Sequence, residues 1–347
     1  MSFAAARLFN RTPLFKFNKS LLESFGGNSN KMPDVLLKME SMQKSGSFKD
    51  RGISNMVQTL YDEKLNQGIT LKKIICSSGG NAGHAVATIA SSLNIPVDVF
   101  VPETTMPMMI DKIKATSANT NVIIHGENWN AADQLARETL AKYGDESIYV
   151  PPYDDRLIWE GNSSIVDEIY EELCSSSDTL TKGEFPDCII LSVGGGGLLR
   201  GVQIGVENLI KANKISESNI CIFAVETKGA AGFALAKKDG KGSKLDAITS
   251  IASSLGALSV VPDTLDSIVS SESVVVSDKE ALDACFSFAD DMRTLVEPAC
   301  GAALSLMYSD KGKSLIEKNS FRNILFIVCG GSAVSLDLLQ KYREKVG

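Results

Sequence analysis

Along most of the chain, short apolar runs alternate with stretches whose apolar residues recur every three or four positions. Residues 72–77, 97–101, 121–125, 187–192, 220–226 and 323–328 are short and rich in β-branched side chains, so they read as buried parallel strands. Residues 35–40 form a further strand candidate, and residues 53–60 have helical spacing. Helical stretches separate most of the strands, which predicts an α/β protein with helices on both faces of mostly parallel sheets. No internal repeat, low-complexity tract or long charge run interrupts the pattern. The Pro151-Pro152 pair marks a candidate crossing between domains, and the glycine- and serine-rich residues 26–30 a loop near the other end.

A length of 347 residues suggests about two domains. A hydrophobic content of 44% with 22% charged residues is ordinary for a soluble protein, and a net charge of −7 argues against a nucleic-acid partner. No apolar run approaches the roughly 20 residues of a membrane span, and no secretory pattern opens the chain. A soluble, cytoplasmic protein with no membrane partner is expected. Residues 1–19 carry Arg7, Arg11, Lys16 and Lys19 without an acidic residue, a faint likeness to a mitochondrial transit peptide, although Thr12-Pro13-Leu14 reads as the start of the folded part. The seven cysteines include no CxxC pair, which fits a reducing compartment. Cys76, Cys174, Cys188, Cys221, Cys285 and Cys300 are expected to be small buried hydrophobes, with Cys329 the exception.

Candidate chemistry begins at Ser45-Gly46-Ser47-Phe48-Lys49-Asp50-Arg51-Gly52, where one lysine stands near a helix start. Ser45 or Ser47 is expected to cap that helix, and the local N–H dipoles would oppose protonation of a nearby amine. Such a lysine can form a Schiff base with an aldehyde such as pyridoxal phosphate, with Phe48 packed by the ring; the plainer reading is a surface lysine. Three turns that follow strands then carry polar or glycine-rich sequence, where ligands of open α/β sheets sit. In Ser77-Ser78-Gly79-Gly80-Asn81-Ala82-Gly83, exposed N–H groups and two hydroxyls suit a carboxylate, although an ordinary tight turn would look similar. Gly194, Gly195, Gly196 and Gly197 let backbone wrap an anion and read as a phosphate cradle. The same stretch contains Gly195-x-Gly197-x-x-x-Gly201 followed by a strand ending in Glu226, a poor dinucleotide fingerprint that keeps a nicotinamide oxidoreductase open. In Cys329-Gly330-Gly331-Ser332, a thiol or hydroxyl could hold a ring nitrogen without donating charge, or the cysteine could be structural.

Taken in order, SGSFKDRG, SSGGNAG, PPYDDRLIWEG, SVGGGGLLRG, ETKGAAGF, VEPACGAA and CGGS resemble the L-serine/L-threonine dehydratases, closest to the catabolic L-serine dehydratases, from about Thr12 to the end. The resemblance implies a pyridoxal-phosphate enzyme of fold type II, the tryptophan-synthase β-subunit-like fold. Its two domains would each have a mostly parallel sheet flanked by helices, a large one over 1–42 and 149–347 and a small one over 43–148. It implies that Lys49 holds the cofactor aldehyde, Phe48 lies against the ring, Asn81 bonds the 3-oxygen, Gly194 to Gly197 hold the phosphate and Cys329 faces the ring nitrogen. Ser77, Ser78, Gly79 and Asn81 would hold the carboxylate of the amino-acid substrate. A monovalent cation, usually potassium, would be bound by Glu226 and the carbonyls of Gly194, Ala230, Leu255 and Ala257, with Gly232 standing where some members have a serine ligand. The implied reaction is β-elimination of L-serine to pyruvate and ammonia, and of L-threonine to 2-oxobutyrate and ammonia, by a homodimer. Serine racemase shares the fold, but its usual loop resembles SSGNHG, whereas this chain has SSGGNAG.

Overall fold

The computed structural model describes residues 7–17, 33–174, 183–216 and 220–346. The loop suggested at 26–30 lies outside the described residues, as do residues 1–6 and Lys19 of the basic opening segment. In chain order the strands are β1 (Leu14–Lys16), β2 (Asp34–Lys38), β3 (Lys73–Cys76), β4 (Val97–Val101), β5 (Thr120–Ile124), β6 (Ser147–Tyr149), β7 (Cys188–Ser192), β8 (Cys221–Thr227), β9 (Ser270–Val276) and β10 (Asn323–Ile327). The helices used below are α1 (Lys49–Asn66), α2 (Asn81–Ser92), α3 (Pro107–Lys114), α4 (Trp129–Tyr143), α5 (Arg156–Cys174), α6 (Gly197–Lys211), α7 (Gly232–Asp239), α8 (Asp278–Met292) and α9 (Pro298–Tyr308). The chain divides into two compact units, Met1–Asn10 with Gln43–Asn162 and Arg11–Met42 with Ser163–Gly347.

In the first unit, β5-β4-β3-β6 form a fully parallel sheet. Successive side chains of β3 point to opposite faces. Ile74 and Cys76 join Ile53, Met56 and Val57 of α1 and Val86 and Ile89 of α2 in one core, while Ile75 joins Phe100, Ala132 and Ala136 in another, against α4. Each fully buried aliphatic side chain contributes about 1.5–3 kcal/mol, so the sheet is fixed from both sides.

In the second unit the order is β1-β2-β10-β7-β8-β9, parallel except for β1 on β2. Central β7 is buried along its length, and α9 is buried from Pro298 to Met307, as a helix apolar all round must be. Helix α9 approaches α8 at Gly301, where an added Cβ would come within 2.1 Å of the Ala281 carbonyl oxygen. Lys38 of β2 is fully buried, and its Nζ donates to Glu168 Oε2 of α5 at 2.8 Å and to the Thr12 carbonyl at 2.7 Å. A charge removed from water in this way is tolerable only when it is paired and hydrogen-bonded.

The predicted strands all appear. Sequence reading passed over β1, β6 and β9: the first two span three residues each, and β9 opens on Ser-Ser-Glu-Ser, which hides an edge strand. The Pro151-Pro152 pair falls inside the first unit, whose division from the second runs through α5, because Val150 and Ile158 are buried in the first unit's core. Thr12 is buried and β1 follows it, as the reading of Thr12-Pro13-Leu14 anticipates. Arg11 and Lys16 form exposed ion pairs with Glu171 and Asp34, each at 2.7 Å. All seven cysteines are free thiols; Cys174 and Cys221 are only half-buried, contrary to expectation, because both stand at ends of their elements. Among the described residues no helix is long and apolar enough to cross a membrane.

Candidate active site

Lys49 is the first residue of α1. The expected serine cap is absent: Phe48 occupies the N-cap position, and the hydroxyls of Ser45 and Ser47 are buried without a partner among the described residues. Asp50 does the ordering instead, since its Oδ2 accepts the Ser45 N–H at 2.9 Å. The Lys49 amine donates to the Pro152 carbonyl at 2.7 Å and lies 5.1 Å from the Phe48 ring centroid and 5.9 Å from that of Tyr153. An amine near two aromatic rings and bonded to a backbone carbonyl differs from a solvated surface lysine.

The turn after β3 leads into α2, which starts at Asn81. An added Cβ at Gly83 would lie 1.8 Å from the Ser78 carbonyl oxygen and one at Gly79 2.5 Å from Thr105 Cγ2, whereas one at Gly80 would meet nothing within 4 Å. Backbone alone fits at 79 and 83, and the turn opens at 80. The two hydroxyls do not share a role. Ser78 Oγ accepts the Gly80 N–H at 3.4 Å, but Ser77 is fully buried and donates to Asp133 Oδ1 at 2.5 Å. The Ser77 hydroxyl is therefore committed inward, to Asp133.

In the second unit, Gly194 to Gly197 join β7 to α6. Gly196 has φ +91°, and a Cβ there would stand 2.6 Å from Val260 Cγ2; one at Gly194 would stand 3.0 Å from the Leu255 Cα. The carbonyl of Gly195 accepts the Val261 N–H at 2.9 Å, and that of Gly196 accepts the Arg200 N–H at 2.8 Å. In a trans peptide the N–H points opposite to the carbonyl. The N–H groups of Gly196 and Gly197 are thus turned the other way, at the head of a 15-residue helix, an arrangement that fits a phosphate.

Gly194 touches Leu255, and a Cβ at Gly232 would have the Ala257 carbonyl oxygen as its nearest neighbour, at 3.7 Å. Glu226 is fully buried, and its two oxygens accept the N–H groups of Phe233 at 2.7 Å and Ala234 at 2.8 Å, at the start of α7. Burial pushes this carboxyl up to about 7, against the pull of those two donors. Ala230 stands on the turn between them, its N–H bonded to the Thr227 carbonyl at 2.9 Å. Among the described residues no three His, Cys, Asp or Glu side chains gather, so a cation here would depend on backbone oxygens beside Glu226.

Cys329, just past β10, is 7% exposed. A hydrogen bond with Cys300 and burial hold its thiol well above the ordinary range, against a hydrogen bond with Ser192 that lowers it, so it is neutral. A Cβ at Gly331, φ +131°, would overlap the carboxyl of Glu297. Cys300 and Glu297, quoted in VEPACGAA without a role, are therefore companions of Cys329. Sequence reading also missed Tyr153 beside Lys49 and Asp133 beneath Ser77. The signal for Asp133 was present: it lies on the buried face of α4 between Ala132 and Ala136, where helical period calls for an apolar residue.

A family model described as pyridoxal-phosphate dependent enzyme matches residues 7–330. The L-serine dehydratase of Dictyostelium discoideum is 37% identical over 340 residues, covering 95% of this chain and 93% of its relative. The L-serine dehydratase/L-threonine deaminase of Mus musculus is 40% identical over 322 residues, 90% of each. Among solved structures, a fungal L-serine ammonia-lyase from Rhizomucor miehei superposes with a TM-score of 0.81 at 32% identity, covering 98% of this chain and 99% of that one. The Gly195-x-Gly197 pattern lies within the matched family segment, which sets the nicotinamide reading aside.

Proposed function

The chain belongs to the pyridoxal-phosphate dependent enzymes, and on that premise we propose that it eliminates water from L-serine, yielding pyruvate and ammonia, and from L-threonine, yielding 2-oxobutyrate and ammonia. The observation that carries this reading is the Lys49 amine at the head of α1, 5.1 Å from the Phe48 ring centroid and 5.9 Å from that of Tyr153. Bound pyridoxal phosphate supplies a conjugated electron sink for a substrate α-carbon. Lys49 would hold its aldehyde and, once displaced, would take the proton from the substrate Cα. Phe48 would pack on the ring and Asn81 would bond its 3-oxygen. Gly194, Gly195, Gly196 and Gly197 would hold the phosphate, and Cys329 would meet the ring nitrogen. The backbone of Ser77, Ser78 and Gly79, with Asn81, would bind the substrate carboxylate. Assembly as a homodimer and residence in the cytoplasm belong to the same reading. Purified protein given L-serine should release pyruvate and ammonia in equal amounts; formation of D-serine in place of pyruvate, or no turnover, overturns it.

A potassium ion is part of this proposal, held by Glu226 and the carbonyls of Gly194, Ala230, Leu255 and Ala257. A buried carboxylate near a phosphate-binding loop is repulsive to that phosphate unless a cation lies between them. Activity should rise several-fold from a bulky organic cation to potassium, and Glu226→Gln should lose that dependence, measured as initial rates at constant ionic strength. Equal wild-type rates in both salts would remove the cation from the reading.

A further inference from the structure

Beneath the Ser77–Asn81 turn lies a polar cluster that no step above uses. Asp133 of α4 is 8% exposed, and its Oδ1 accepts from two hydroxyls, Ser77 Oγ at 2.5 Å and Tyr149 OH, which are themselves 2.9 Å apart. Its Oδ2 accepts from Arg137 Nε at 2.7 Å, one helical turn on, and the Arg137 guanidinium lies 4.5 Å over the Tyr149 ring. Tyr149 comes from β6, directly beside β3, where it is paired with Ile75. Burial opposes the charge on Asp133, but hydrogen bonds from Ser77, Tyr149 and Arg137 outweigh it and hold the carboxyl below its usual range. Burial and Asp133 push the Tyr149 phenol up, so it remains a donor.

The same helix grips the backbone. Trp129 Nε1 donates to the Ser77 carbonyl at 2.7 Å. Among the described residues there is no cis peptide, so the Ser78 N–H points away from that carbonyl. With the hydroxyl tied to Asp133 and the carbonyl to Trp129, Ser77 has no freedom to turn, and the direction of the Ser78 N–H is set by α4.

We infer that Asp133 and Trp129 are positioning residues: through Ser77 they aim the N–H groups of the 78–81 turn at a substrate carboxylate. The inference rests on the proposed role of that turn. Groups that act only by orientation should affect the charged end of the substrate and leave proton removal by Lys49 nearly intact.

The test compares L-serine with L-serinamide, which lacks the carboxylate charge, as substrates of the holoenzyme. Asp133→Asn should raise KM for L-serine about tenfold, the worth of one hydrogen bond to a charged group, with kcat changed less than about threefold. The wild-type preference for L-serine over L-serinamide should shrink by a similar factor. Trp129→Phe should act in the same direction, and since Trp129 is 44% exposed it decides the matter if Asp133→Asn does not fold. A purely structural role would lower thermal stability and leave the substrate preference unmoved; that result in a folded variant overturns the inference alone. A wild type that makes no pyruvate overturns the functional reading and this inference together.

Discussion

Lys49→Ala should abolish pyruvate formation, with a loss beyond the roughly 10²–10⁴ that a single general base contributes. The same amine has two tasks in the proposed reaction, holding the cofactor aldehyde and taking the Cα proton, and alanine performs neither. The protein itself should persist. Lys49 opens α1, its amine makes a hydrogen bond to the Pro152 carbonyl, and alanine is the best helix former, so neither the helix nor the core around Ile53 and Val57 is disturbed. A 2-oxoacid assay on the folded variant, alongside far-ultraviolet circular dichroism and the visible spectrum of added pyridoxal phosphate, checks the expectation. Substantial pyruvate from that protein would remove Lys49 from the mechanism.

Much of the architecture was legible because buried parallel strands advertise themselves. A run such as Cys188–Ser192 has no polar face, and the glycines that follow it can be explained only by close backbone approach, which Val260 and Leu255 now account for. What stayed hidden depended on partners distant in sequence. Nothing near Ser77 indicates that its hydroxyl is spent on Asp133, 56 positions away. The serine cap at Lys49 is absent for a local reason: Phe48, which has no side-chain acceptor, takes the N-cap position. Glu226 ends a strand in the sequence pattern, and its hydrogen bonds to Phe233 and Ala234, seven and eight positions on, also fasten the start of α7.

Cys329→Asp should slow elimination by roughly 10²–10³, while Cys329→Ser stays within a few-fold of wild type. Cys329 is buried against Cys300 and Ser192 and is held neutral, so the native residue can meet a ring nitrogen without offering it negative charge. In the proposed site a neutral Cys329 would leave that nitrogen without a counter-charge, so the cofactor would supply a weaker electron sink and loss of the β-hydroxyl would need to accompany removal of the Cα proton. An aspartate reverses this. Each unit by which a neighbouring carboxylate raises the nitrogen's pKa moves its protonation tenfold, and an opposite charge a few ångströms away shifts a pKa by roughly one to three units. Serine preserves neutrality, and its hydroxyl can replace the thiol toward Cys300 and Ser192. The expected result is slow pyruvate formation by Cys329→Asp with a rising share of racemised or transaminated product. Pyruvate at the wild-type rate, with no by-product and an unchanged visible spectrum, would mean that Cys329 has no part in setting the ring's charge.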